Sequence, residues 1–424
     1  MSNDWRAMWA ELGIDLEKHD QFLAALPELY EKTFINQFNR PQAMQYFDFV
    51  ISEVHGLRVK ELVDHKLKGG KVVASFCVFV PEELILAVDA VSIGLCAGAQ
   101  FPVATGEKVL PRSICPLIKA SIGFKLDSIC PYFQVADFVI GETTCDGKKK
   151  AWEILNDFIP TYVMELPQRK EKEDYDLWEA EVNRLMQKLE TETGKAVDFE
   201  SLSQAVAKVN NRRKVLRRLY DLRKADPVPI SGKDALLITQ LAFFDDPERF
   251  SAKVSELCDE LEERVKEGMG VVPQGTPRIL ITGSPMPIPN WKIHDIIERC
   301  GGVVVCEETC TGTRYFEQLT EEGQTISEQL KQIAMRAMKI NCACFTPNNE
   351  RINDILRLVE EYKIDGVIYY NLQFCHPYSI EYYKIERALQ AAEIPVLKIE
   401  SDYSEEDLPI LQNRIQAFLE MVGQ

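Results

Sequence analysis

The stretch ADFVIGETTCDGKKKAWEIL, residues 136–155, decides the fold. An apolar run at 138–140 reads as a buried strand, a tight loop carries Cys145, and a helix starts near Lys148. In open α/β sheets, ligands sit where strands end and helices begin. Cys145 therefore stands at the mouth of a crevice, beside a helix N-terminus whose free amides favour a thiolate or an anion. Two later stretches repeat the plan. GGVVVCEETCTGTRYF, residues 301–316, puts Cys310 just after a strand at 303–305, and DGVIYYNLQFCHPYS, residues 365–379, puts Cys375 just after one at 367–370. Three strand-end cysteines suggest a soft-metal site at the edge of two sheets.

Working outward, strands alternate with helices of ten to fifteen residues. That alternation predicts parallel, doubly wound sheets. Residues 1–68 form an N-terminal helical region, with Phe22, Leu26, Leu29 and Phe34 on an apolar face. Residues 69–165 form a first α/β domain. In it KVVASFCVFV reads as a strand over 72–80, Pro81 opens a helix, and VSIGLCAGAQ is a second strand ending at Cys96. A helix begins near Cys115, and LDSICPYFQ is a return loop. Residues 166–270 are a charged helical insert, with Asp198 as an N-cap whose capping box lacks Glu or Gln at Ser201. Its basic row, Lys208, Arg212, Arg213, Lys214, Arg217 and Arg218, reads as a solvated helix face, with a docking patch as the alternative. Residues 271–424 form a second α/β domain. The fold class is thus α/β: two doubly wound parallel-sheet domains with N-terminal helices and a helical insert.

Composition narrows the function. A chain of 424 residues suits two domains, and a formal charge of −17 argues against a nucleic-acid partner, whose phosphates need a basic surface. The first twenty residues lack a basic start followed by an apolar core, and no apolar run reaches the roughly 18 residues of a membrane span, so a cytoplasmic protein is expected. Disulfides are rare in that compartment, and twelve cysteines there call first for metal or redox chemistry. Four of them read as small buried hydrophobes: Cys77 and Cys306 in strands, Cys258 in a helix, Cys300 at a helix end.

The remaining cysteines can be sorted by sheet rim. Every parallel strand ends on one rim, and the helix that follows starts there. Cys96, Cys115 and Cys145 fall on the rim of the first domain, while Cys130 falls at the far end of a helix, roughly 18 Å from Cys115. Cys310, Cys375 and one or both of Cys342 and Cys344 fall on the second rim. Three thiols from each domain would meet in the cleft between them. A thiolate-only set on scattered loops favours an iron–sulfur cluster over zinc, whose structural sites show paired CxxC knuckles absent here. His376 could donate a proton or bond a cluster sulfide, or be a plain polar loop residue. Neither GETTCDG nor GSPMP is a phosphate loop. Glu142, Glu307 and Glu308 lie near the rim without an assignable acid–base role.

Taken together, PEELILA, VLPRSICPLIK, TTCDGKKKAWEIL, ELPQ, GSP, TCTGTRYF and DGVIYY–FCHPYS–IPVLKIE resemble the D-component of the 2-hydroxyacyl-CoA dehydratase and benzoyl-CoA reductase family. The resemblance spans most of the chain outside the N-terminal helices and the insert. It implies one [4Fe–4S] cubane on Cys115, Cys145 and Cys375. The extra rim thiols in GLCAGAQ, ETCTGTR and NCACF look like the double-cubane branch, in which one chain binds an [8Fe–9S] cluster through six cysteines. The implied ligands are Cys96, Cys115, Cys145, Cys310, Cys344 and Cys375. The resemblance also implies a homodimer that receives low-potential electrons from a separate ATP-hydrolysing [4Fe–4S] activator and reduces a small molecule. A single-cubane 2-hydroxyacyl-CoA dehydratase subunit and a non-catalytic cluster carrier are the alternatives.

Overall fold

Runs of β-branched and aromatic residues bounded by Gly, Pro and Asp form parallel strands in the computed structural model, which describes residues 5–95 and 98–423. In the first sheet β1 spans Val72–Ser75, β2 Val91–Gly94, β3 Phe138–Glu142 and β4 Thr161–Met164, in the order β2-β1-β3-β4. In the second, β5 spans Arg278–Gly283, β6 Val303–Glu308, β7 Gly366–Leu372 and β8 Val396–Ser401, in the order β6-β5-β7-β8. All neighbours are parallel. The chain is therefore α/β with two doubly wound parallel sheets, as the alternation predicts. Strands β3, β5, β6 and β7 are buried along their whole length, as strands covered by helices on both faces must be.

The two sheets share one winding order. The chain steps from β1 to β2 on one side and then crosses to β3 on the other, and β5, β6 and β7 repeat this. Such a reversal opens a crevice beyond the C-terminal ends of the two central strands. Two crevices of the same kind, one per sheet, supply the loops of the site.

Several sequence expectations shift. The strand expected over 72–80 ends at Ser75, so Cys77 leaves the sheet. Pro81 precedes the helix Glu82–Ala87 as its N-cap instead of opening it. The return loop at LDSICPYFQ contains a short helix, Pro131–Val135, with Cys130 before it. Strand β4 falls inside the expected first α/β domain but was not among its expected strands; it is a four-residue edge strand with Val163 exposed, too short and too wet to leave a clear pattern. Cys96 lies outside the described residues.

The helical segment bridges the two sheets. Helices span Lys172–Thr193, Phe199–Leu222, Gly232–Leu241 and Pro247–Lys266. At the start of the second, the capping box expected to be incomplete closes: Ser201 N donates to Asp198 Oδ1 at 2.7 Å and Asp198 N to Ser201 Oγ at 3.3 Å. Two members of the basic row on this helix are not solvated. Arg212 and Arg213 are buried, Arg212 paired with Glu82 and Arg213 with Glu83 at 2.7 Å. Lys214 and Arg217 stay exposed, and Arg218 pairs with Asp259 and Glu262. Any docking face here is thus confined to the outer residues. Just past the helix end, Arg223 donates to both Glu307 oxygens, at 2.7 and 2.9 Å. Tyr220 donates to Oε2 at 2.5 Å, and His294 Nε2 lies 3.0 Å from Oε1. One helix is therefore tied to the first domain through Glu82 and Glu83, and to β6 through Glu307.

Burial alone would raise the Glu307 carboxyl, but the Arg223 charge and its hydrogen bonds, with help from His294, outweigh it and hold the group at about 2. Against an ordinary value near 4.5 this contributes about 3 kcal/mol to stability, complete above pH ~4.5 and lost as pH falls towards 2. Glu307→Gln should therefore flatten the fall in urea midpoint between pH 4.5 and 2 relative to the parent. Parallel slopes would assign the acid sensitivity to other carboxylates.

Candidate metal centre

The two crevices face each other across a cavity of about 740 Å³ lined by Cys77, Cys115, Cys145, Cys310, Cys342, Cys344 and Cys375. Local structure explains each position. Cys115, Cys145 and Cys375 are the N-cap residues of the helices Pro116–Leu126, Asp146–Leu155 and His376–Ala391. Pro at the first turn favours two of these starts, because its missing N–H would be unpaired there in any case. Cys77 sits just past β1, Cys310 just past β6, and Cys342 and Cys344 in the connection from helix Ile326–Met338 to helix Asn349–Glu361.

The thiols fall into two groups. Cys115 and Cys375 perturb each other directly across the domains, and Cys145 interacts electrostatically with both. Cys77 and Cys310 form a second pair across the domains, with the Cys342–Cys344 pair beside them. Each group thus draws on both domains, instead of one group per domain. Cys342 also interacts with Cys145, so the groups adjoin.

Their electrostatics differ. Three helix N-termini converge on the first group. Lys148 N lies 3.4 Å from Cys145 Sγ, and the Leu117 and Ile118 amides favour the Cys115 thiolate. Burial nevertheless pushes Cys145 up to about 11, against the pull of the Lys148 and Gly147 amides. Within each pair one thiol is lowered by its neighbour: the Cys375 thiol lowers Cys115, the Cys77 thiol lowers Cys310 with support from Arg314, and the Cys344 thiol lowers Cys342 with support from Arg314 and Tyr378. Binding of metal to the remaining thiols would release their protons.

Among the described residues no three His, Cys, Asp or Glu side chains converge on a position for one metal ion. Tetrahedral zinc, with Zn–S near 2.3 Å, would draw its sulfurs to about 3.8 Å of one another. Here the thiols instead line a wider space.

Of the candidate ligands, Cys115, Cys145, Cys310, Cys344 and Cys375 line the cavity; Cys342 does too, and Cys96 lies outside the described residues. Cys130 does not line it, in keeping with its place on the far rim, and Cys258, Cys300 and Cys306 are likewise elsewhere. Cys77 was missed. The signal was present: a strand reaching residue 80 leaves no connection before the helix at Glu82, so the chain had to leave the sheet earlier. His376 is exposed at the cavity mouth, on the first residue of its helix. The rim acids are committed to ion pairs: Glu142 to Lys148, Glu307 to Arg223, Glu308 to Arg314 and Arg351. Among the described residues, no helix is long and apolar enough to cross a membrane.

The family model described as 2-hydroxyglutaryl-CoA dehydratase, D-component, matches residues 77–422. YjiM of Escherichia coli (strain K12), provisionally named a dehydratase subunit, is 38% identical over 364 residues, covering 85% of this chain and 94% of the relative. The (R)-phenyllactyl-CoA dehydratase beta subunit of Clostridium sporogenes is 25% identical over 362 residues, 83% of this chain and 92% of the relative. A benzoyl-CoA reductase subunit from Thauera aromatica is 22% identical over 322 residues, 73% of this chain and 80% of the relative.

The cross-domain pairs predict a chemical outcome. Mild oxidation of the metal-free protein should join the peptides of Cys115 and Cys375, and those of Cys77 and Cys310, in a mass-spectrometric map. Peptides of Cys130 and Cys300 should stay unlinked. Random pairing would contradict the two groups.

Proposed function

Because this chain belongs to the 2-hydroxyglutaryl-CoA dehydratase D-component family, we propose that it is an iron–sulfur reductase component. It accepts low-potential electrons from a separate ATP-hydrolysing [4Fe–4S] activator and delivers them to a small molecule in the interdomain cleft. The observation that carries this reading is the pair of thiol groups facing one cavity. Cys115, Cys145 and Cys375 would hold one half of a double-cubane [8Fe–9S] cluster. Cys77, Cys310 and one thiol of the Cys342–Cys344 pair would hold the other, Cys77 taking the sixth place that the resemblance gives to Cys96, which lies outside the described residues. Such a group supplies single electrons at low potential.

The chain's own residues supply the rest. The three helix N-termini offset negative charge on the first group. Phe243, Phe244 and Ile288 wall the cavity with apolar surface. Tyr315 donates to Glu82 Oε1 at 2.7 Å and Arg212 pairs with the other oxygen, which fixes that carboxylate at the cavity edge. Among the described residues, the Lys and Arg that line the cavity, Lys148 and Arg212, are paired with Glu142 and Glu82. Paired cations suit a small uncharged substrate better than the phosphates of a coenzyme A thioester. His376, at the mouth, is placed to exchange protons with solvent. The reading carries with it a homodimer working in an oxygen-poor cytoplasm.

A second reading, a 2-hydroxyacyl-CoA dehydratase subunit with a single [4Fe–4S] cluster, is favoured by the first group taken alone: three N-cap thiols suffice for one cubane. Metal content separates the two. Protein purified without oxygen should carry about eight irons per chain, and Cys145→Ser and Cys310→Ser should each lose about half. About four irons, unaffected by Cys310→Ser, would establish the single-cluster reading.

A further inference from the structure

Among the described residues, the second thiol group caps no helix N-terminus that could offset its charge. Cys77, Cys310, Cys342 and Cys344 all lie in loops, and none caps a helix. Two buried side chains take that place. Arg314 Nη1 lies 4.0 Å from Cys310 Sγ and also donates to the Tyr378 hydroxyl, which lies 3.4 Å from Cys342 Sγ. Guanidinium has no lone pair to offer, and a metal-bound thiolate has no proton to give. With Cys342 as the metal-bound thiol of its pair, the phenol oxygen would accept from Arg314 and give its single proton to Cys342 Sγ.

This arm is held rigidly. Arg314 Nη2 donates to Glu308 Oε2 at 2.7 Å and to the Glu308 carbonyl at 2.9 Å, and Nη1 donates to the Gly283 carbonyl at 3.1 Å. Arg351 donates to Glu308 Oε2 at 3.2 Å, and the guanidinium carbons of Arg314 and Arg351 lie 5.1 and 4.9 Å from the centre of the Tyr378 ring. Arg314, Tyr378, Glu308 and Arg351 are all buried. Nothing equivalent touches the first group among the described residues, where Cys375 takes its support from Ser284 and a backbone amide.

We propose that Tyr378, backed by Arg314, is a positioning residue that sets the reduction potential of the metal group on the second thiol set alone. The inference rests on the two-group iron–sulfur reading above. Hydrogen bonds to ligand sulfur and nearby positive charge favour the reduced, more negative state, so they raise the potential. The chain thereby tunes its two halves by different means, helix ends for one and a phenol–guanidinium arm for the other.

Tyr378→Phe removes only the hydroxyl and keeps the ring. With the holoprotein, iron content is measured first, and a reductive titration is then followed by electron paramagnetic resonance. The parent should show about eight irons and two transitions. In Tyr378→Phe the iron content should hold, one transition should move to more negative potential, and the other should stay. Should Tyr378→Phe lose iron, the same titration on Arg314→Lys, which gives up the fork that holds Tyr378, decides by the same criterion. Unmoved potentials at full iron content would overturn this inference and leave the two-group reading standing. A parent with about four irons and one transition would overturn that reading itself, and this inference with it.

Discussion

Charge repulsion between sulfurs is the constraint the rest of the molecule answers to. Among the described residues seven thiols line one cavity, and each thiolate makes the next harder to form, while burial adds its own cost. The fold meets this cost in two ways. It brings three helix N-termini to one group, and it buries an arginine and a tyrosine against the other. Within pairs it sets one thiol low against a raised neighbour.

Holding such a cavity open requires that the two sheets keep a fixed relation. The helix Phe199–Leu222 provides it, with Arg212 and Arg213 tied to Glu82 and Glu83 near one sheet and Arg223 tied to Glu307 on the other. Buried ion pairs are weak evidence for net stability, since desolvation offsets much of their attraction. Their value here is directional. Removing one partner leaves an uncompensated buried charge, so alternative placements of the sheets are strongly disfavoured.

The same logic accounts for the acids near the rim. Glu142, Glu307 and Glu308 look available in the sequence, yet each answers a buried cation. Glu308 serves the site only indirectly, by anchoring Arg314 beside Cys310 and Tyr378. What faces the cavity among the described residues is therefore chiefly sulfur, with Tyr315, Glu82 and His376 at its border.

Strand and helix periodicity by itself determined the architecture: the alternating runs required parallel sheets, and parallel sheets put the residues after β3, β6 and β7 on a common rim. Cys145, Cys310 and Cys375 were legible for that reason, and Cys130 was set aside by the length of one helix. Three matters were decided only by the tertiary structure. Cys77 joined the site because β1 ends at Ser75, a boundary that local propensity fixes poorly when the apolar run continues into a buried loop. The thiols grouped across the domains and not within them, because the crevices of two similarly wound sheets face each other. Arg212 and Arg213 were withdrawn from solvent by carboxylates about 130 residues away in sequence. Periodicity records which face of an element is buried, but it carries no record of which distant charge will meet it there.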